Sequence, residues 1–148
     1  MEHITDAGGR LVTTFGRLLE VHAALTRRTG RSLERECGIP QPWFEVLLRI
    51  SRADQGQVSM GALAQQVALT SGGITRLLDR MIDAGLVQRV PCPTDRRVLF
   101  AALTDQGQAK LDQALVTHTA DLRDAFDGFT ERDLDALDLL LDRLRGTP

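Results

Sequence analysis

Apolar residues recur at helical spacing near both ends of the chain. The first series alternates steps of four and three residues, through Leu11, Phe15, Leu18, His22 and Leu25. This spacing predicts a helix whose stripe is narrow enough to pack on another helix. The second series steps three, four and three residues through Leu134, Leu137, Leu141 and Leu144, which is typical of a coiled-coil-like seam. One small lobe cannot bury both seams, so we expect a homodimer held by these terminal helices.

The middle of the chain is predicted to form short helices separated by breaks. Pro40 and Pro42 mark a helix start, because proline is tolerated in a first helical turn. The buried face of that helix is predicted at Trp43, Val46, Leu47 and Ile50. Residues 54–57 are predicted to form a loop. Ser59 is then expected to cap a short helix over 60–66.

A longer amphipathic helix follows. Thr70 or Ser71 is expected to cap it, and Gly85 to end it, since glycine commonly closes a helix. Its buried positions are spaced i, i+3, i+4, i+7 and i+8 at Ile74, Leu77, Leu78, Met81 and Ile82. This periodicity leaves the opposite face polar.

Two short β-type runs come next, at 86–90 and 98–103, and predict a hairpin with a long tip. Thr104 begins another helix, and residues 130–133 form a capping-box-like start for the last one. The fold class is therefore mainly α-helical with a small β-hairpin, and no linker divides the chain.

Composition and length agree with one globular domain. The 148 residues are 43% hydrophobic and 26% charged, and no stretch approaches the roughly 18 apolar residues of a membrane span. Residues 1–9 carry two acidic residues and no apolar core, which argues against a signal peptide. Two cysteines without a CxxC pair give no disulfide framework. The sequence thus predicts a cytoplasmic protein.

Charge is distributed unevenly along the chain. The formal net charge is −2, yet residues 71–100 hold five arginines and three aspartates, and residues 101–148 hold five basic and ten acidic residues. A basic segment beside an acidic tail is compatible with nucleic-acid binding through one part of the surface.

The order of two helices joined by a short turn and followed by a hairpin is that of a winged helix-turn-helix. The polar face of the second helix includes Ser71, Gly72, Thr75, Arg76 and Arg80. Its free N–H groups, with the Ser71 hydroxyl, can bind phosphate, and glycine permits close approach. Thr75 and Arg76 are expected to reach base edges, where arginine suits guanine, and Arg80 to meet a backbone phosphate. The alternative is a solvated face balanced by Asp79 and Asp83.

The tip of the hairpin supplies a second contact. It carries Asp95, Arg96 and Arg97, and an arginine on a thin hairpin can enter a narrow minor groove. Asp95 is expected to orient Arg97 through a charge-assisted hydrogen bond. A purely structural ion pair between these two is the alternative.

These residues resemble a known family. Residues 63–64, 69–81, 85–89, 95–97 and 103–107 are similar to the MarR family of bacterial transcription regulators. The resemblance implies one MarR-like domain over 1–148, with dimerisation helices at 11–28 and 105–146 and a winged helix-turn-helix lobe at 40–103. It places the recognition helix on 71–84 and the minor-groove arginine at Arg97, with Asp95 as its partner. Double-stranded DNA and a second copy of the chain are the implied partners.

The family often binds small aromatic or phenolic ligands between its dimer helices and its DNA-binding lobe. This resemblance suggests a ligand pocket that includes His22, Trp43 or Arg49. The leading interpretation is a homodimeric repressor of a palindromic operator that such a ligand relieves.

Other interpretations rest on single features. Cys37 lies near where the family's thiol-based peroxide sensors carry a reactive cysteine, although an unreactive thiol is the simpler expectation. The candidate zinc ligands are scattered along the chain, at His22, Glu34, Glu36, Cys37 and His118. Neither a metal nor a cofactor is therefore expected. No catalytic motif is present, so an enzyme is not expected. A helical interaction module that does not bind DNA is the remaining alternative.

Overall fold

Helices at both ends of the chain enclose a lobe that contains a small antiparallel sheet. The computed structural model describes residues 7–67 and 71–146. Its helices are α1 (Ala7–Cys37), α2 (Gln41–Arg52), α3 (Met60–Gln66), α4 (Ser71–Asp83), α5 (Asp105–Ala125) and α6 (Glu131–Arg145). Its strands are β1 (Gln57–Ser59), β2 (Val87–Pro91) and β3 (Leu99–Leu103), with β3 between the other two.

Helix starts in the structure match the capping residues predicted from the sequence. Ser59 Oγ accepts from the backbone N–H of Ala62 at 3.2 Å, which confirms it as the cap of α3. Thr104 caps α5, and Thr130 forms a complete capping box at the start of α6. Each cap satisfies backbone N–H groups that the first helical turn leaves without partners. The expected cap at Thr70 lies outside the described residues.

Helix ends follow the glycine signals. Gly85 has φ +77° after α4, and Gly38 has φ +68° after α1; glycine takes this left-handed conformation without a Cβ clash. Helix α1 is longer than the 11–28 stretch assigned to dimerisation, because it continues through a polar segment to Cys37. The inner residues of that segment, such as Leu33, are fully buried in the core and hold it helical.

The predicted loop over 54–57 is only partly correct. A single 3₁₀ turn spans Asp54–Gly56, but Gln57 already belongs to β1 and pairs with Ala102 of β3. The wing is therefore a three-stranded sheet rather than a simple hairpin. A three-residue strand has no detectable period, and its partner lies far along the chain, so no local pattern could reveal it.

The core lies where α2 and α4 pack with α1, α5 and the sheet. Val46, Leu47 and Ile50 of α2 are fully buried as predicted, whereas Trp43 is only partly buried at the edge. The buried face of α4 consists of Ile74, Leu78 and Met81, with Leu77 and Ile82 partly covered. The polar face predicted for α4 is consequently the face that remains open.

The two terminal seams lie mostly on the surface of the single chain. Phe15 of α1 is 61% exposed and Leu144 of α6 is 59% exposed, and α6 contributes no buried residue. Leu18 of α1 and Leu137, Leu141 and Leu144 of α6 line a largely apolar cleft of about 700 Å³ between the two helices. Among the described residues, no helix is long and apolar enough to cross a membrane.

Candidate nucleic-acid interface

Helix α4 presents a polar face that the rest of the lobe leaves open. Gly72, Thr75, Arg76 and Arg80 are all exposed, because the apolar residues between them anchor the opposite side of the helix in the core. Ser71 begins α4, but its side chain lies outside the described part of the structure, so its phosphate contact stays a prediction. Four of the five residues predicted on this helix thus share one accessible face.

Of the two carboxylates that the solvated-face alternative assigned to this face, Asp83 is exposed, whereas Asp79 contacts another element. Asp79 pairs with Arg89 of β2 instead of with a neighbouring arginine on α4. Within residues 7–67 and 71–146, neither Arg76 nor Arg80 takes part in an ion pair. A helix face with two unpaired guanidinium groups has the charge needed to meet a polyanion.

Arg89 is a residue that the sequence analysis missed. Its guanidinium contacts the Asp79 carboxylate across the junction between the wing and α4. The contact ties the first strand of the hairpin to the helix that carries Arg76 and Arg80. No sequence pattern pointed to it, because the two residues lie on different elements.

The wing tip is organised by Asp95. Its carboxylate accepts three hydrogen bonds from Arg97, from the backbone N–H at 2.9 Å, from Nε at 3.2 Å and from Nη2 at 3.4 Å. These bonds stabilise the ionised form and lower the pKa of Asp95. The Arg97 side chain is nevertheless 91% exposed, so Asp95 holds the guanidinium without covering it. Arg96 beside it is also exposed.

Cys92 lies at the start of the same tip. Its sulfur is 3.4 Å from the Thr94 hydroxyl, and hydrogen bonds from Thr94 lower the pKa of the thiol.

The base of the hairpin is attached to the end of α4 and the start of α5. Thr104 Oγ1 donates to the Gly85 carbonyl at 2.6 Å, and the Thr104 N–H donates to the Leu86 carbonyl at 3.1 Å. Gly107 approaches so closely that a Cβ there would lie 1.9 Å from Leu86 O. The wing and α4 are therefore fixed to each other and to α5.

The three residues proposed for a ligand pocket lie apart. Arg49 lines a cleft of about 300 Å³ with Glu45, Arg52 and Gln66, and neither Trp43 nor His22 contributes to that cleft. His22 is exposed on α1, among the apolar residues of the terminal seam.

Cys37 is buried, with 5% of its surface accessible. Its sulfur lies 3.6 Å from the Thr117 hydroxyl, and the Lys110 ammonium donates to its backbone carbonyl at 3.0 Å. The candidate zinc ligands do not converge: among the described residues, no three His, Cys, Asp or Glu side chains are placed to share a metal ion. His118 instead packs its ring on Phe44, with 4.6 Å between ring centroids.

Comparisons with known proteins agree with this architecture. A model of the MarR family matches residues 38–98, which extend from just before α2 to the residue before β3. The uncharacterized HTH-type transcriptional regulator YsmB of Bacillus subtilis is 28% identical over 134 residues, or 90% of this chain and 85% of YsmB. The chain is therefore similar to the MarR family, through the family model over 38–98 and through YsmB over most of its length.

Solved MarR structures extend the match to nearly the whole chain. Sco3205, a MarR family transcriptional regulator from Streptomyces coelicolor solved in complex with DNA, superposes with a TM-score of 0.82 at 25% identity, covering 99% of this chain and 93% of Sco3205. AbsC, a MarR family transcriptional regulator from the same organism, has a TM-score of 0.79 at 29% identity, and the match covers 99% of this chain and 100% of AbsC. These MarR neighbours confirm the predicted winged-helix fold class, and the fold explains why α4 and the wing share one side of the lobe.

Proposed function

We propose that this protein is a homodimeric repressor of the MarR type, which binds a palindromic operator through α4 and the wing and is released by a small ligand. One observation carries the proposal. The exposed face of α4 displays Arg76 and Arg80, which have no carboxylate partner among residues 7–67 and 71–146, and the adjoining wing displays Arg97. A regulator of this kind acts on chromosomal DNA, so a cytoplasmic location goes with the proposal.

The proposed roles follow from position along α4. Its first turn, with Ser71 and Gly72, offers backbone N–H groups to a phosphate. Thr75 and Arg76 are one turn further and reach base edges in the major groove, where a bidentate arginine reads guanine. Arg80, another turn along, meets the phosphate backbone.

The wing is proposed to read the minor groove. Arg97 enters it, since a narrow A·T-rich groove has the most negative potential. Asp95 sets the direction of that guanidinium through its hydrogen bonds with Arg97 Nε and Nη2. Arg96 is proposed to bind the adjacent backbone.

Dimerisation is supported by the apolar surface that the single chain leaves open on α1 and α6. A second copy related by a twofold axis would cover both seams at once. It would also present two copies of α4, so half-sites about 10 bp apart are expected, one turn of duplex.

Relief by a ligand is proposed to act on the spacing of the two lobes. An aromatic or phenolic acid bound between a terminal helix and the lobe would have to favour the conformation that does not bind DNA. Arg49 offers a cation in an open cleft, and neither Trp43 nor His22 lines that cleft.

The test starts with selection of operator sequences from random duplexes by the purified protein. Arg76→Ala should then relax the base preference at one position in each half-site, whereas Arg80→Ala should weaken all duplexes and reduce the salt dependence. Arg132→Ala, which removes an exposed arginine on α6, is the matched control and should bind as wild type does. Selection of no duplex would favour the alternative of an interaction module that does not bind DNA.

Redox control through Cys37 is the second candidate for the signal. The burial of the sulfur opposes it, because peroxide must reach the thiolate. Operator release by peroxide that disappears in Cys37→Ser would establish it and replace the ligand.

A further inference from the structure

The second half of α1 and the facing side of α5 form an open cleft that is lined by four arginines. Its volume is about 460 Å³, and its polar lining consists of Arg27, Arg28, Arg31, Ser32, Arg35 and Asp121. Helices α1 and α5 pack along each other, so the cleft belongs to a rigid pair of elements. It lies outside the α4 face and the wing.

Two of the four guanidinium groups already have carboxylate partners. Arg28 Nη2 lies 3.2 Å from Asp124 Oδ2, and Arg35 Nη2 lies 2.9 Å from Glu36 Oε1. Arg27 and Arg31 take part in no ion pair within the described part of the chain. They are four residues apart on one face of α1, where like charges repel and weaken the helix. An anion in the cleft would neutralise this charge.

Asp121 gives the same cleft a hydrogen-bond acceptor. Its Oδ2 atom is buried, and no donor among the described residues bonds to it. None of the four arginines forms an ion pair with Asp121 in the described part of the chain, although all of them line the cleft with it. A buried acceptor without a donor is unfavourable. Because the Asp121 carboxylate also lines the open cleft, an anion that can donate a hydrogen bond suits the cleft better than one that only accepts.

His118, one turn earlier on α5, does not supply that donor as a cation. Burial lowers the pKa of His118, and the nearby Asp121 charge opposes this only in part. The ring is consequently neutral at pH 7, and its buried Nδ1 also has no described partner.

We propose that this cleft binds a protonated tetrahedral oxyanion, of which inorganic phosphate is the simplest. The planar guanidinium groups match its charged oxygens, and the Asp121 carboxylate accepts its P–O–H proton. Sulfate has a similar shape and charge but carries no proton at neutral pH, so it would set an acceptor against an acceptor. A phosphodiester of DNA also lacks this proton, which separates the cleft from the operator-binding surface.

The inference goes beyond the proposed operator binding and is tested on the free protein. Titration calorimetry in a phosphate-free buffer at pH 7.5 should show phosphate binding, with sulfate about tenfold weaker, because sulfate would place an acceptor oxygen against the Asp121 carboxylate. Methyl phosphate at pH 8, which has lost its last proton, should bind more weakly than inorganic phosphate.

Variants separate charge from proton recognition. Arg31→Gln should weaken both anions about tenfold by removing one charge-assisted contact. Asp121→Asn should bring the phosphate-to-sulfate ratio close to one, because an amide can donate to sulfate. Arg10→Gln, which removes an exposed arginine on α1 outside the cleft, is the control and should bind as wild type does. Thermal unfolding without phosphate verifies that each variant is folded.

Absence of phosphate binding to the wild type would overturn the proposal, as would equal binding of phosphate and sulfate. A preference for phosphate that survives in Asp121→Asn would also overturn it. None of these results would affect the operator measurements, which are made on different residues.

Discussion

Replacement of Gly107 by alanine tests how tightly the wing is attached to the rest of the chain. A Cβ at this position would lie 1.9 Å from the Leu86 carbonyl oxygen, whereas real Cβ contacts stay above 3.0 Å, so the Leu86 backbone and α5 must separate by more than 1 Å. Leu86 is buried, and the same carbonyl accepts the Thr104 N–H at 3.1 Å. The substitution therefore strains a backbone contact that cannot move aside as a flexible side chain would.

The expected destabilisation follows from three contributions. Overpacking costs about 1–3 kcal/mol, and loss of the Thr104–Leu86 hydrogen bond about 1 kcal/mol. The better helix propensity of alanine returns up to about 1 kcal/mol. The net loss in the free energy of unfolding is about 1–4 kcal/mol, or roughly 3–13 °C in Tm for a chain of this size.

The assay is thermal and urea unfolding followed by circular dichroism at one fixed protein concentration, because an oligomer's stability depends on concentration. Gly61→Ala is the matched control: Gly61 also lies in the first turn of a helix, and nothing stands within 4 Å of its added Cβ. It should leave stability unchanged or raise it slightly. Equal stability of Gly107→Ala and Gly61→Ala would refute the close contact at Leu86.

Three further substitutions test the interface and the core. Arg97→Ala should lower operator affinity about tenfold, because it removes one charge-assisted contact. A gel-shift titration should show this loss and should show it to be largest at operators with A·T-rich flanks. Unchanged affinity would contradict minor-groove binding. Arg89→Gln should cost about 0.5 kcal/mol in stability at low salt and nothing at 1 M salt, and a double-mutant cycle with Asp79→Asn should assign that cost to the pair. Burial lowers the pKa of His118, so the unfolded chain takes up a proton on this residue more readily than the folded chain does. The free energy of unfolding should therefore fall as pH drops below about 6.5, the pKa of a histidine in the unfolded chain. Urea unfolding at pH 7 and 5.5 should show this loss in wild type and in His22→Gln but not in His118→Gln.

The elements predicted correctly are those whose signals are local. The caps at Ser59, Thr104 and Thr130 each involve a backbone N–H only a few residues away, and the apolar period of α4 repeats within a single helix. A hairpin is likewise encoded by adjacent runs and the tip between them. These signals place the exposed face of α4 and the wing without any knowledge of the tertiary fold.

The features that the sequence did not reveal depend on distant residues. β1 exists because Gln57 meets Ala102, and the partner of Asp79 is Arg89 on another element rather than an arginine on its own helix. The arginine cleft is also non-local, since Asp121 joins it from α5. Contacts of this kind are set by packing, and helical spacing alone carries no information about them.

The same long-range contacts limit how this protein can be regulated under the proposed function. The Asp79–Arg89 pair and the Thr104 hydrogen bonds fix the wing to α4, so the relative position of the two DNA-contacting elements within one lobe has little freedom. The terminal seams on α1 and α6, in contrast, leave large apolar surfaces open in a single chain. A ligand that distinguishes two states therefore acts most effectively on the packing of these helices, where a change in lobe spacing moves both copies of α4 relative to the groove. Tenfold release from the operator requires about 1.4 kcal/mol of differential binding to the two states.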